Sequence, residues 1–216
     1  MEPIELFSAQ ICPFAHRCRL ALMEKQLQFD LIEIDLHNKP SWYFKIHPDG
    51  AVPALRQGNF ILRESLVINE FIEELVGSPA LLPASVHQRA EARLWIDVAG
   101  TQFVPLFYRL LKAKDPSQKK SLVNAMHTLL GMFEDQLIKD QSGPFWFGPM
   151  LTLTDIAIYP WFERWPVLEH YCNLKIPAER AALLNWIEVM QARPTVREGS
   201  QSAKFYIAEY AEYVAS

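Results

Sequence analysis

Cys12-Pro13-Phe14-Ala15 is a short stretch whose residue types and order point directly at chemistry. A cysteine just ahead of a helix faces backbone N–H groups that have no partner inside the helix, and it lies at the positive end of the helix dipole. Both favour thiolate over thiol, so the pKa is expected below the free value of ~8.5. His16 and Arg17 add local positive potential. Position 15 is alanine, so the C-x-x-C pair that would resolve a mixed disulfide internally is missing and an outside thiol is required. Taken alone, the same cysteine also fits a small buried core residue.

Two further sites carry recognisable ligand chemistry. Val52-Pro53 opens a strand after the loop His47-Pro48-Asp49-Gly50. A cis bond there would turn the Val52 backbone outward, able to pair with an extended peptide, whereas a trans bond would make it an ordinary strand start. Glu64-Ser65 stands at the start of the next helical pattern. A serine hydroxyl and backbone N–H groups there suit a carboxylate, and Glu64 suits an adjacent ammonium; the plainer alternative is an N-cap. One ligand would use all three sites together: a thiol at Cys12, a peptide backbone along Val52 and a free α-amino acid head at Glu64-Ser65. Glutathione, a γ-glutamyl tripeptide with its thiol in the middle, supplies these groups in that order.

The elements that must position these residues follow from periodicity. Ile4–Phe7 and Phe29–Ile34 read as strands around a helix over Pro13–Gln26, with Pro13 in the first turn where a helix tolerates it. Val52–Leu55 and Phe60–Leu62 flank Gln57-Gly58-Asn59 as a hairpin, and Glu64–Val76 is an amphipathic helix. The order β-α-β, β-β-α predicts a small α/β domain over residues 1–78 with a four-stranded mixed sheet. Leu81-Leu82-Pro83 reads as a linker. Residues 87–216 read as an all-helical domain, with patterns from His87 to about Leu111, Pro116 to about Lys139, Thr154 to about Trp165, Ala178 to Ala192 and Lys204 to Tyr213. Thr152-Leu153-Thr154-Asp155 has the form of a capping box with Asp in place of Glu, a stabilising device.

Composition narrows the function classes. The 216 residues are 50% hydrophobic, enough for a sizeable core and against intrinsic disorder. A net charge of −4 lacks the basic footprint of a general nucleic-acid binder. Apolar runs fall short of the ~18 residues that span a bilayer, and the start MEPIELFSAQI carries no basic n-region of a secretory signal. Cys12, Cys18 and Cys172 form a sparse, odd set without zinc-ligand spacing, so no metal is expected and a reducing, cytoplasmic setting suits them.

The chain resembles the cytosolic glutathione transferases, most of all the omega class. The resemblance rests on Cys12-Pro13-Phe14-Ala15 with Arg17 and Arg19-Leu20, on Asn38-Lys39-Pro40 with Trp42 and Phe44-Lys45, and on Val52-Pro53 and Glu64-Ser65. Pro160-Trp161-Phe162-Glu163-Arg164, Trp186 and Pro194-Thr195-Val196 extend it nearly to the C-terminus. It implies a thioredoxin-like N-terminal domain, a helical C-terminal domain and, usually, a homodimer. Carried over by residue, Cys12 would be the catalytic thiol, Phe14 would pack beside glutathione and Lys39 would reach the glycyl carboxylate. Val52 would pair with the cysteinyl backbone, Glu64 and Ser65 would take the γ-glutamyl head, and Trp186 would line the acceptor site between the domains. Lys39 also fits a solvated loop charge, and Trp186 a core aromatic. His16 stands where the omega pattern often has an acidic or amide residue. Cys18 is an extra thiol that leaves internal disulfide chemistry open, although six residues along a helix put it off the reactive face.

A cysteine at that position is expected to attack sulfur itself, giving thiol transferase and reductase chemistry on mixed disulfides, glutathionyl ketones and dehydroascorbate. Small hydrophobic or glutathionylated molecules would be the acceptors, and conjugation of aryl halides would be weak. The competing expectation is a non-enzymatic protein of the same fold. A chloride-channel-like relative also carries Cys-Pro-Phe and can associate with membranes, but His16, Arg17, Arg19, Glu24 and Lys25 make the first helix too polar for easy, stable insertion. An interaction scaffold would need no reactive cysteine.

Overall fold

A computed structural model describes residues 2–139 and 142–215. The chain divides into two compact units, Met1–Leu81 and Leu82–Ser216.

The first unit contains β1 (Ile4–Ser8), α1 (Pro13–Glu24), β2 (Phe29–Glu33), a 3₁₀ turn (Ser41–Lys45), β3 (Ala54–Gln57), β4 (Phe60–Arg63) and α2 (Ser65–Leu75). The sheet order is β2-β1-β3-β4. β1 pairs parallel with β2, Ile4 opposite Phe29, so the connection must cross over, and α1 makes that crossing. β3 is antiparallel to β1, Leu6 opposite Leu55, and β4 to β3. The mixed four-stranded sheet is therefore the one that the element order predicts. β1 lies in the middle, and four of its five residues are buried. The exception, Glu5, sits opposite Arg56 and pairs with it, with Nη2 donating to Oε1 at 2.7 Å. The hairpin turns at Gly58, whose φ of 57° suits a residue without a Cβ.

Boundaries differ from expectation for local reasons. α1 stops at Glu24, and Gln26 at φ 54° turns the chain away. α2 begins at Ser65 because Glu64, at φ 68°, stays outside the helix as its N-cap. The polar residues of α1 also have a structural part. His16, Arg17 and Arg19 within the helix, and Lys25 just past its end, are all buried. Arg19 donates to Ser8 Oγ at 2.6 Å and to the Ala9 carbonyl at 3.3 Å. Lys25 Nζ lies 2.6 Å from Glu73 and donates at 2.8 Å to the carbonyls of both Val76 and Pro79. These cations hold the unit together from inside, because a buried charge is tolerated only where oxygens replace its water.

The second unit is helical: α3 (Val86–Val98), α4 (Val104–Lys112), α5 (Pro116–Lys139), α6 (Leu153–Glu163), α7 (Trp165–Cys172), α8 (Ala181–Ala192), α9 (Pro194–Gly199), α10 (Ala203–Glu209) and α11 (Ala211–Ala215). The single pattern expected from His87 to Leu111 is split by a π turn over Ala99–Phe103. Pro105, in the first turn of α4, has no N–H to continue the ordinary ladder, which accounts for the wide turn. Periodicity also passed over α7 and α9. Their signal was the proline in each first turn, Pro166 and Pro194.

The core of this unit is aromatic and is organised around one carboxylate. Trp146 meets Trp95 and Phe133, each with ring centroids 5.1 Å apart, and Trp186 meets Phe162 at 5.3 Å. Asp155, fully buried near the start of α6, accepts from the Thr152 N–H at 2.8 Å and the Thr152 hydroxyl at 2.7 Å. It also accepts from the Trp186 indole N–H at 2.8 Å and the Trp146 amide at 3.2 Å. Burial pushes its carboxyl pKa upward, and these bonds oppose that shift. The capping box is thus also the polar hub of the helical unit. Among the described residues, no helix is long and apolar enough to cross a membrane.

Candidate functional site

β1 ends at Ser8, and a tight turn closed by the Cys12 N–H on the Ala9 carbonyl, 2.9 Å, leads into α1. Cys12 is the N-cap, in extended geometry at φ −76° and ψ 115°, and Pro13 is the first helical residue. The Ala15 N–H donates to Cys12 Sγ at 3.5 Å, and the sulfur lies 3.5 Å from the Val52 carbonyl. The side chain is half-buried. The sulfur therefore sits in the capping position that favours negative charge, with part of its surface open.

Cys18 behaves differently. It is fully buried, its thiol faces the Phe14 carbonyl at 3.8 Å and the Ser65 carbonyl at 3.6 Å, and burial drives its pKa far upward. A thiol held protonated and out of reach does not serve as a resolving cysteine.

The loop before β3 supplies the opposite wall. The Val52–Pro53 bond is cis, and Val52 is 9% exposed. Gly50 has φ +63°, and a Cβ there would fall 2.9 Å from Phe44 Cε1 and 3.0 Å from Lys39 Cδ. Only glycine allows the Lys39 stem to lie this close. Lys39 itself is half-buried. His47 in the same loop is 7% exposed. Burial lowers its pKa, and the charges of Arg63, Asp49, Glu64 and Lys39 also act on it. The charges of Lys39 and Glu64, 25 residues apart in sequence, thus both reach His47.

At the start of α2, Ser65 is buried while Glu64 is exposed. Arg17 Nη1 donates to Ser65 Oγ at 3.4 Å, and the Arg17 guanidinium lies 5.4 Å from the centre of the half-buried Phe14 ring. Arg17 thus ties Phe14 on α1 to Ser65 on α2. Cys12 with Val52, and Phe14 with Ser65, are brought together from stretches some 40 and 51 residues apart.

One expected site residue is corrected. Trp186 is fully buried within the helical unit, edge-on to Phe162, Trp146 and Tyr159, with its N–H committed to Asp155. With its ring covered and its donor used, it is a core strut and not an acceptor-lining residue. Sequence reasoning passed over Tyr43 and His47. The aromatic run Trp42-Tyr43-Phe44 beside Asn38-Lys39-Pro40 was the available signal for Tyr43, and His47 offered none beyond its type. Among the described residues, no group of three or more His, Cys, Asp or Glu side chains is placed to hold a metal ion.

Comparison with known proteins agrees with this geometry. Residues 11–75 match the model for the glutathione S-transferase N-terminal domain, and residues 89–188 match that for the C-terminal domain. Glutathione S-transferase L3 of Arabidopsis thaliana is 35% identical over 85% of this chain and 76% of its own length. Human glutathione S-transferase omega-2 is 28% identical over 89% of this chain and 78% of its own. The crystal structure of glutathione transferase Omega 3C from Trametes versicolor superposes with a TM-score of 0.89 at 27% identity, covering 100% of this chain and 91% of that one. With both units matched and the cysteine-capped helix facing the Val52 loop, the chain belongs to the glutathione S-transferase family.

Proposed function

We propose that the protein is a glutathione-dependent thiol transferase and reductase in which Cys12 is the nucleophile. In the first step the Cys12 thiolate attacks the glutathionyl sulfur of R–S–S–G. The new Cys12–S–S–G bond forms as the old disulfide breaks, and R–S⁻ leaves to take a proton from water. In the second step a glutathione thiolate attacks the glutathionyl sulfur on Cys12, which releases oxidised glutathione and returns the Cys12 thiolate. Dehydroascorbate would be reduced to ascorbate at the expense of two glutathiones, released as one oxidised glutathione. A glutathionyl ketone would pass its glutathionyl sulfur to the Cys12 thiolate, its C–S bond breaking to an enolate that takes a proton, and one further glutathione would then release oxidised glutathione. The observation that carries this reading is Cys12 Sγ itself, half-open at the first turn of α1 and 3.5 Å from the Val52 carbonyl.

Glutathione would lie along that wall. Val52 would pair with its cysteinyl backbone, Glu64 and Ser65 would take the γ-glutamyl head, Lys39 would reach the glycyl carboxylate, and Phe14 would cover one side. The omega naming of the human relative supports this assignment, and three cysteines outside any disulfide suit a reducing compartment such as the cytoplasm. A homodimer is the expected assembly.

The test is hydroxyethyl disulfide reduction with glutathione, together with the mass of the protein after exposure to oxidised glutathione. Turnover and a glutathionyl adduct, both lost in Cys12→Ser, are expected. Equal turnover by the variant would refute the cycle.

A further inference from the structure

Tyr43 is fully buried in the 3₁₀ turn, wedged between Phe7 at 5.5 Å and Trp42 at 5.9 Å between ring centres. Its hydroxyl donates to the Ala51 carbonyl at 2.6 Å. Its own carbonyl accepts from the N–H groups of Ile46 at 2.8 Å and His47 at 2.9 Å. One residue therefore grips both ends of the loop over 46–51, the segment that delivers Val52 to Cys12.

The geometry of one peptide unit gives this grip a consequence. The Ala51–Val52 bond is trans, and in a trans peptide plane the C=O and N–H point in opposite directions. Holding the Ala51 oxygen on the Tyr43 hydroxyl therefore directs the Val52 N–H away from Tyr43. The next carbonyl, that of Val52, is the one 3.5 Å from Cys12 Sγ. The Cys12 charge also acts on the Tyr43 hydroxyl, which places the two side chains in one neighbourhood.

We infer that Tyr43 is a positioning residue for the tripeptide: through the Ala51 carbonyl, its hydroxyl aims the Val52 N–H at the cysteinyl backbone of glutathione beside Cys12. This rests on the proposed function, since it concerns how the same ligand is held. It assigns the donor direction to a side chain that never touches the ligand. Phenylalanine keeps the ring packing and removes only the hydroxyl, so Tyr43→Phe isolates this role.

The experiment measures calorimetric binding of S-methylglutathione, which cannot react, and steady-state hydroxyethyl disulfide reduction, for the full chain and for Tyr43→Phe. The dissociation constant and the KM for glutathione are expected to rise together about 3- to 10-fold, the range for one lost or misdirected hydrogen bond, with kcat at saturation within twofold. Wild-type protein that binds no S-methylglutathione would overturn the proposed function itself. Wild-type binding with an unchanged constant in Tyr43→Phe would overturn the positioning role alone. A variant whose kcat falls while KM stays fixed would also overturn it, because that pattern marks general damage to the fold or the thiol.

Discussion

Two helix starts in this molecule use the same physics to opposite ends. At α1, Cys12 caps the first turn with a sulfur that keeps part of its surface open. At α6, Asp155 turns back on Thr152 and is sealed, its two oxygens taken up by Thr152, Trp146 and Trp186. An anion-favouring position can serve chemistry only where the anion is left accessible, as proposed for Cys12, and is structural where every acceptor site is used inside the core. The two differ in donors as well as in access: Cys12 accepts from the first-turn N–H of Ala15, whereas Asp155 accepts from Thr152 at the N-cap and from Trp146 and Trp186 beyond that turn.

That contrast can be broken by exchanging loss of stability for loss of chemistry. Asp155→Ala leaves the Trp186 indole and the amides of Trp146 and Thr152 buried without their acceptor. It is expected to cost about 3–5 kcal/mol in urea unfolding, while Cys12 alkylation in the folded protein proceeds as before. An unchanged midpoint would remove Asp155 as the hub. Ser65→Ala should weaken glutathione binding by ~1–3 kcal/mol, since Ser65 is buried at the start of α2 and already held by Arg17. Calorimetry showing wild-type affinity would take Ser65 out of the site.

The rate of Cys12 alkylation against pH sharpens the comparison from the reactive side. Its midpoint is expected below the ~8.5 of a free thiol, and a midpoint at or above that value would contradict the capping argument.

The smallest effect concerns His47, whose pKa burial lowers. A lowered imidazole pKa means that the unfolded chain takes up a proton before the folded one does. Stability is therefore full above the unfolded value of ~6.5 and declines as pH falls from there toward the folded pKa. His47→Asn should flatten that part of the pH–stability curve, and an identical slope in both proteins would show that His47 does not contribute to it.

Much of the fold was legible where its signals are local. Strand–helix–strand order, the Gln57-Gly58-Asn59 turn and the Thr152/Asp155 pair each lie within a few residues, and the structure bears out all three. Three ligand-facing stretches could also be proposed together, because one tripeptide demands them jointly. What stayed out of reach shares a different cause. Whether Arg17, Arg19 and Lys25 are solvated or buried depends on oxygens supplied from elsewhere in the chain, as with Ser65 for Arg17 and Val76 for Lys25. Helical spacing placed Trp186 on an apolar face but did not say whether that face meets a cleft or the interior. Tyr43 looked like one more aromatic until its hydroxyl was seen on the Ala51 carbonyl.

The Lys25 ammonium carries a practical corollary for where the first half of the protein ends. Two of its three oxygens come from Val76 and Pro79, and its third partner, Glu73, also accepts the Leu81 N–H at 2.9 Å. A fragment cut after Ser78 would strand this cation without one of its ligands and deprive Glu73 of another. Autonomous folding of this half should therefore require a polypeptide that reaches Leu81, three residues past the boundary at 78 that the sequence suggests.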